Sequence, residues 1–173
     1  MKILVVSYTF TGNNERLAKS VAQQFIAEHL IVAETKPRNT GVIAMDMIFN
    51  RTPKISVQPN ILADYDLILF FAPIWMGQVA SPLRAYLKEL KANSTKYAFI
   101  SISGGADGGN PKLRSELNKR VGREPLALID LPITSLLPSN QPADRKDTSA
   151  YRVDEKDVEK LTDTVLKTLK EKI

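Results

Sequence analysis

Residues 3–14, Ile3-Leu4-Val5-Val6-Ser7-Tyr8-Thr9-Phe10-Thr11-Gly12-Asn13-Asn14, decide the fold. Ile3–Val6 is an unbroken apolar run, the pattern of a strand buried on both faces, and it stops at a polar, turn-prone cluster. From Asn13 to about His29, Leu17, Val21, Ala22, Phe25 and Ile26 recur at three- and four-residue spacing, which predicts an amphipathic helix. Strand, loop, helix is the opening unit of an α/β protein.

Outward from that unit the pattern repeats. Leu30–Ala33 reads as a second strand, and Leu67–Ala72 (LILFFA), the most apolar run, as a central third strand that stops at Pro73. Pro82 suits a first helical turn, and Leu83, Tyr86, Leu87 and Leu90 mark the inner face of the helix it opens. Tyr97–Ile102 predicts a fourth strand, Pro111 to about Val121 a helix, Leu126–Leu131 a fifth strand and Asp154–Lys172 a last helix. Between strands two and three, residues 36–60 read as irregular with two turns of helix near Val42–Phe49, where Met45, Met47, Ile48 and Phe49 are expected to cover a sheet edge. Residues 139–150 read as a polar surface loop, and His29 as a surface residue or a partner of the first helix's C-terminal dipole. Five apolar strands alternating with helices predict an α/β fold, a parallel sheet with helices on both faces. A length of 173 residues fits a single domain, 1–173.

Composition removes much of ordinary hydrolytic chemistry. With no Cys, a disulfide framework, a thiolate metal site, an iron–sulfur cluster and a Cys nucleophile are all excluded. A single His makes a Ser-His-Asp triad improbable, and no metal site is expected. No segment approaches the apolar length of a membrane span and no signal-peptide core is present, so a cytoplasmic location is expected. The net charge is +5, yet residues 84–123 alone hold nine basic and three acidic residues. Such a run reads as a solvated face, and no nucleic-acid partner is expected.

In a parallel α/β sheet, ligands bind beyond the carboxyl ends of the strands. Three unusual loops fall there. Ser7–Asn14 offers the hydroxyls of Thr9 and Thr11, the amides of Asn13 and Asn14, the close approach allowed by Gly12, and the first N–H groups of a helix, a setting for phosphate without Lys or Arg. Ala72-Pro73-Ile74-Trp75-Met76-Gly77 places the only Trp at the sheet edge, where its ring suits stacking on a flat aromatic ligand. Ser103-Gly104-Gly105 presents bare main chain to the edge of such a ring, while Asp107 reads as a solvated turn residue.

At these residues the sequence resembles the flavodoxin-like family. Thr9-Phe10-Thr11-Gly12-Asn13-Asn14 looks like its phosphate loop, (S/T)-x-T-G-x-T, with Asn14 in place of the last Thr; Pro73-Ile74-Trp75-Met76-Gly77 looks like its second flavin loop, and Ser103-Gly104-Gly105 sits where the third is expected. The resemblance implies a doubly wound five-stranded sheet of order 2-1-3-4-5. It also implies bound FMN, with phosphate in the first loop, the isoalloxazine ring between the other two, Trp75 flanking the ring and main chain at Met76–Gly77 responding to flavin N5. Two departures stand out: residues 103–110 contain no aromatic residue and one carboxylate, and the surface is basic where those carriers are acidic.

Two functions follow as expectations. One is an electron carrier in which non-covalently bound FMN shuttles electrons between partner proteins; the other is an enzyme, an NAD(P)H-dependent oxidoreductase acting on quinones or free flavins, small planar acceptors for which the open third loop leaves room. A monomer or homodimer fits either. A phospho-receiver domain shares the strand order but needs acidic residues where the first strand ends in Ser7-Tyr8-Thr9.

Overall fold

The computed structural model describes residues 1–34, 39–138 and 143–173. The expectations for residues 36–38 and 139–142 lie outside the described residues.

The opening run forms β1 (Ile3–Ser7), buried along its whole length and paired in parallel with β2 (Glu28–Ile31) on one side and β3 (Leu67–Phe71) on the other. Beyond β3 lie β6 (Lys96–Ser103) and β7 (Leu128–Pro132), again parallel. Among the described residues these five strands make a sheet of order β2-β1-β3-β6-β7. A separate antiparallel hairpin, β4 (Ile74–Trp75) with β5 (Gln78–Val79), interrupts the chain numbering but not that order. Counted within the parallel sheet alone, the order is the expected 2-1-3-4-5.

Alternation along the strands sorts the core into two layers. Val5, Leu69, Phe71 and Ile100 face α1 (Asn13–Phe25) and α6 (Glu155–Lys170), which supply Leu17, Val21, Leu161, Val165 and Leu169. Leu4, Val6, Ile68, Phe70 and Phe99 face α3 (Arg84–Ala92) and α4 (Leu113–Val121), which supply Tyr86, Leu87, Leu90, Leu113 and Leu117. Each such apolar side chain taken fully out of water contributes roughly 1.5–3 kcal/mol, so the sheet is held from both faces.

Several local expectations are corrected. The first helix ends at Phe25, not near His29: Ile26 takes φ +49°, caps the helix in the left-handed region and is 96% exposed instead of inward. The chain then enters β2 two residues earlier than the apolar run suggested. His29 is therefore a strand residue, and its Nε2 shares a 2.8 Å hydrogen bond with the buried hydroxyl of Ser7. Burial lowers the His29 pKa below its ordinary value; Glu15 works against that shift and Lys19 with it. Helix α2 (Thr40–Ile48) occupies the region where two turns were expected, but Met45, Ile48 and Phe49 are exposed and of the four named residues only Met47 is buried. Finally, the second half of the expected polar loop is a six-residue helix, α5 (Arg145–Ala150), opened by a reciprocal capping box between Asp144 and Asp147.

Candidate functional site

All three loops reach the same place. A cleft of about 550 Å³ at the carboxyl edge of the sheet is lined by Phe10, Thr11, Asn13 and Asn14 from the first loop, by Pro73, Ile74, Trp75, Met76 and Gly77 from the second, and by Ser103, Gly104 and Gly105 from the third. Thr9 and Gly12 shape the first turn from behind it: the Gly12 N–H donates to Thr9 Oγ1 at 2.9 Å, and Gly12 takes φ +91° at the N-cap of α1. The Asn13, Asn14 and Glu15 N–H groups that follow belong to the turn in which helical donors have no intrahelical acceptor, and the helix dipole makes this end positive.

The amides of Asn13 and Asn14 do something other than what their type suggested. Asn14 Nδ2 donates to the Ile102 carbonyl at 3.1 Å while its Oδ1 accepts from the Ile102 N–H at 2.8 Å. Strand β3 has left the sheet by that point, after Phe71 opposite Ile100, so the amide continues the ladder in place of main chain. Asn13 makes the equivalent pair, donating to the Tyr151 carbonyl at 3.0 Å and accepting from the Val153 N–H at 3.1 Å. Both side chains are buried, and each spends one N–H and one oxygen lone pair on main chain. Both residues line the cleft, where their main-chain N–H groups stand beside the Thr11 hydroxyl. The Arg16 guanidinium, one turn on, is bonded to the Val153 carbonyl.

The second loop is the hairpin. Met76 (φ +51°) and Gly77 (φ +72°) make a two-residue turn with both central residues left-handed, the form that matches strand twist; at Met76 that conformation costs about 1 kcal/mol. The turn holds Trp75 half-buried against the cleft, edge-on to Tyr8 (centroids 5.7 Å apart, 89°) and to Phe10 (6.3 Å, 87°). Tyr8 packs beneath the cleft, its hydroxyl donating to Glu34 at 2.8 Å, whereas Phe10 lies in the lining and is half exposed.

In the third loop Gly105 takes φ +80°, and a Cβ there would lie 2.6 Å from Pro132 Cβ and from Thr134 Oγ1. The loop is tied down by Asn110 Nδ2 donating to Asp130 at 2.8 Å and by the Thr134 N–H donating to the Gly104 carbonyl at 3.3 Å. Ser103 is buried, and its hydroxyl has no partner among the described residues, an unmet polar atom in the cleft wall.

A fourth wall was not read from the sequence. Arg145, Thr148 and Ser149 of α5 line the cleft, Thr148 packs against Gly104, and Arg145 Nε contacts both Asp107 carboxylate oxygens at 2.8 and 2.9 Å. Asp107 is exposed, as expected, but ion-paired. The available signal was Asp144-Arg145-Lys146-Asp147, whose acidic residues three apart are a helix start.

No protein-family model matches the chain. Solved structures do. A flavoprotein from Lactobacillus acidophilus NCFM, determined in complex with FMN, superposes with a TM-score of 0.62 at 24% identity, over 75% of this chain and 93% of that one. The fold is flavodoxin-like. Flavodoxin 1 from Bacillus cereus, in its oxidised state, matches over 98% of both chains with a TM-score of 0.53 and 16% identity. A flavodoxin of Streptococcus pneumonia TIGR4 gives 0.52 at 12%, over 98% of this chain and 99% of that one. The flavodoxin-like sheet thus brings every loop singled out in the sequence to one edge. Among the described residues no helix is long and apolar enough to cross a membrane, and no group of His, Cys, Asp or Glu could hold a metal ion.

Proposed function

We infer that this protein holds FMN non-covalently in the cleft and passes electrons between partner proteins. The observation that carries the reading is the meeting of a helix N-terminus, the sole Trp and a buried unpartnered hydroxyl in one cleft of about 550 Å³. That volume lies within the range of small-molecule sites, and the donor set suits the group: main-chain N–H and Thr11 for a phosphate, an indole wall for a flat ring, Ser103 for a polar ring edge. The likeness in fold to a flavoprotein seen with FMN supports the same assignment.

Bound FMN would supply the electron exchange, taking up and releasing one or two electrons at its ring system. The chain's own residues bind and orient it. The Thr9–Asn14 turn would receive the phosphate, Pro73–Gly77 and Ser103–Gly105 would bracket the ring, and Tyr8 and Phe10 pack edge-on against Trp75. With one carboxylate in residues 103–110, and that one paired to Arg145, the wall opposes negative charge on the ring less than an acidic loop would.

A second reading rests on the same wall. Residues 103–110 bring glycines and no aromatic side chain to the cleft, which leaves a ring face open to a planar nicotinamide or quinone. Purified protein is expected to be yellow, or to become so with one equivalent of FMN; protein that stays colourless and leaves Trp75 fluorescence unchanged on titration with FMN rejects both readings. Anaerobic mixing with NADH or NADPH then separates them. A carrier is bleached only slowly without a reductase, and rapid bleaching establishes the enzyme.

A further inference from the structure

A second cavity, about 700 Å³, adjoins the hairpin through Gln78. Within the hairpin Trp75 pairs with Gln78; Trp75 lines the cleft and Gln78 lines this groove. Its walls come from α2 and the turn after it, α3 and α4. They carry Arg84, Lys88, Lys91, Lys119 and Arg120 against one acid, Glu116, which is bonded to Arg120.

These cations divide into two kinds. Arg84 is buried and structural, donating to the Asp46 carbonyl at 3.0 Å, the Arg51 carbonyl at 2.8 Å and Gln78 Oε1 at 3.2 Å. Arg120 donates to Asn50 Oδ1 at 3.1 Å and to the same Gln78 oxygen at 3.4 Å. Together the two arginines brace the hairpin against α2 and α4. Lys88, Lys91 and Lys119 are exposed, and among the described residues no ion pair involves them. Ile48 in the groove wall is 65% exposed, Phe49 next to it in the chain 58%, and Met76 at the hairpin tip, which lines the cleft, 71%. Exposed apolar side chains beside unpaired charge are the composition of a recognition surface.

We propose that this groove docks an acidic face of the protein that exchanges electrons with the cleft. The inference rests on the reading of the cleft as an FMN site. Charge complementarity selects the occupant: an acidic protein is attracted to three unpaired lysines, whereas a second copy of this chain would bring like charge to like. The hairpin makes the position useful, since Gln78 in the groove wall is the cross-strand partner of Trp75 in the cleft wall. In each encounter the partner is oxidised by one electron and the bound flavin reduced by one, or the reverse, with no other reactant.

The test uses FMN-loaded protein, an acidic plant-type [2Fe–2S] ferredoxin reduced beforehand, and basic cytochrome c as the opposite probe. The second-order rate of electron transfer from the ferredoxin is expected to fall about tenfold between about 20 mM and about 300 mM ionic strength, and the rate to cytochrome c to rise. Lys88→Glu/Lys91→Glu/Lys119→Glu is expected to slow the ferredoxin reaction at least fivefold at low salt, with an unchanged flavin spectrum; the Gln triple variant shows the same direction if the Glu variant fails to fold. Lys156→Glu/Lys160→Glu/Lys167→Glu on α6, of equal charge change, is expected to leave most of the rate intact. Equal slowing by both triples overturns the proposal, as does a dimer by sedimentation that buries Phe49. Failure of the FMN reading shows separately, as protein without flavin absorbance. Calorimetric titration with ferredoxin then decides the groove alone, with an affinity loss confined to the groove variant expected and equal binding by all three proteins overturning it.

Discussion

In the loop after β1, Gly12 takes φ +91° and an added Cβ would meet nothing within 4 Å; in the loop after β6, Gly105 takes φ +80° and an added Cβ would lie 2.6 Å from two side-chain atoms. Both glycines adopt a backbone that L residues avoid, and both belong to loops that line one cleft. The space beside Gly12 is open. The space beside Gly105 is filled by Pro132 and Thr134, so there the missing side chain lets the protein pack against itself. One turn is tolerant and the other is wedged, and the tolerant one gets its order from a side chain two residues on, Asn14, bonded to both main-chain groups of Ile102.

The sharpest way to break this contrast is Gly105→Ala. Overpacking at about 1–3 kcal/mol and left-handed strain of about 1 kcal/mol predict a loss of roughly 2–4 kcal/mol, read as a lower urea midpoint. A loss under 1 kcal/mol would mean that β7 and the following turn yield easily. Asn14→Ala should cost a similar or slightly smaller amount, roughly 2–3 kcal/mol, because it leaves a buried N–H and C=O of Ile102 unmet. Trp75→Ala tests the wall that belongs to neither turn. FMN affinity should fall about 10- to 100-fold by titration, with only a modest stability change, since stacking on an aromatic ring contributes on the order of 1–3 kcal/mol. Gly12→Ala should cost only about 1 kcal/mol of stability, from backbone strain, yet weaken FMN binding by more than that strain accounts for if the open space is where the phosphate approaches. The smallest effect concerns pH. Because burial lowers the His29 pKa, the unfolded chain takes up a proton before the folded one as pH falls below the ordinary imidazole value. Stability is therefore fully present above that value and declines below it, and His29→Gln should flatten the slope in unfolding midpoints measured from pH 7.5 to pH 5.

Those two turns also mark how far the sequence could be read. Apolar periodicity located β1, β3, β6 and the inner faces of α1, α3 and α6, because burial on one or both faces writes itself directly into residue type. The three loops followed from strand ends, and the cleft contains them. What periodicity could not show was partner identity. Asn13 and Asn14 read as donors for a ligand because an amide looks the same whether it meets phosphate or the main chain of Ile102 and Val153. Ile26 fits the helical period and so extended α1 in the sequence reading, although its left-handed backbone ends the helix and pairing with β1 takes the chain that follows. Helix α5 has six residues and one buried side chain, Thr148, too little for any apolar stripe; only its capping acids announce it. The fourth wall of the cleft was missed for that reason.

The placement of Trp75 has a practical corollary. An indole that is the chain's only one, stands in the cleft wall and touches Tyr8 and Phe10 turns the molecule into its own optical gauge. With excitation beyond the absorption of the tyrosines, its emission reports on a single location, so occupancy of the cleft, solvent entry and loss of the hairpin can each be followed on native material without a label.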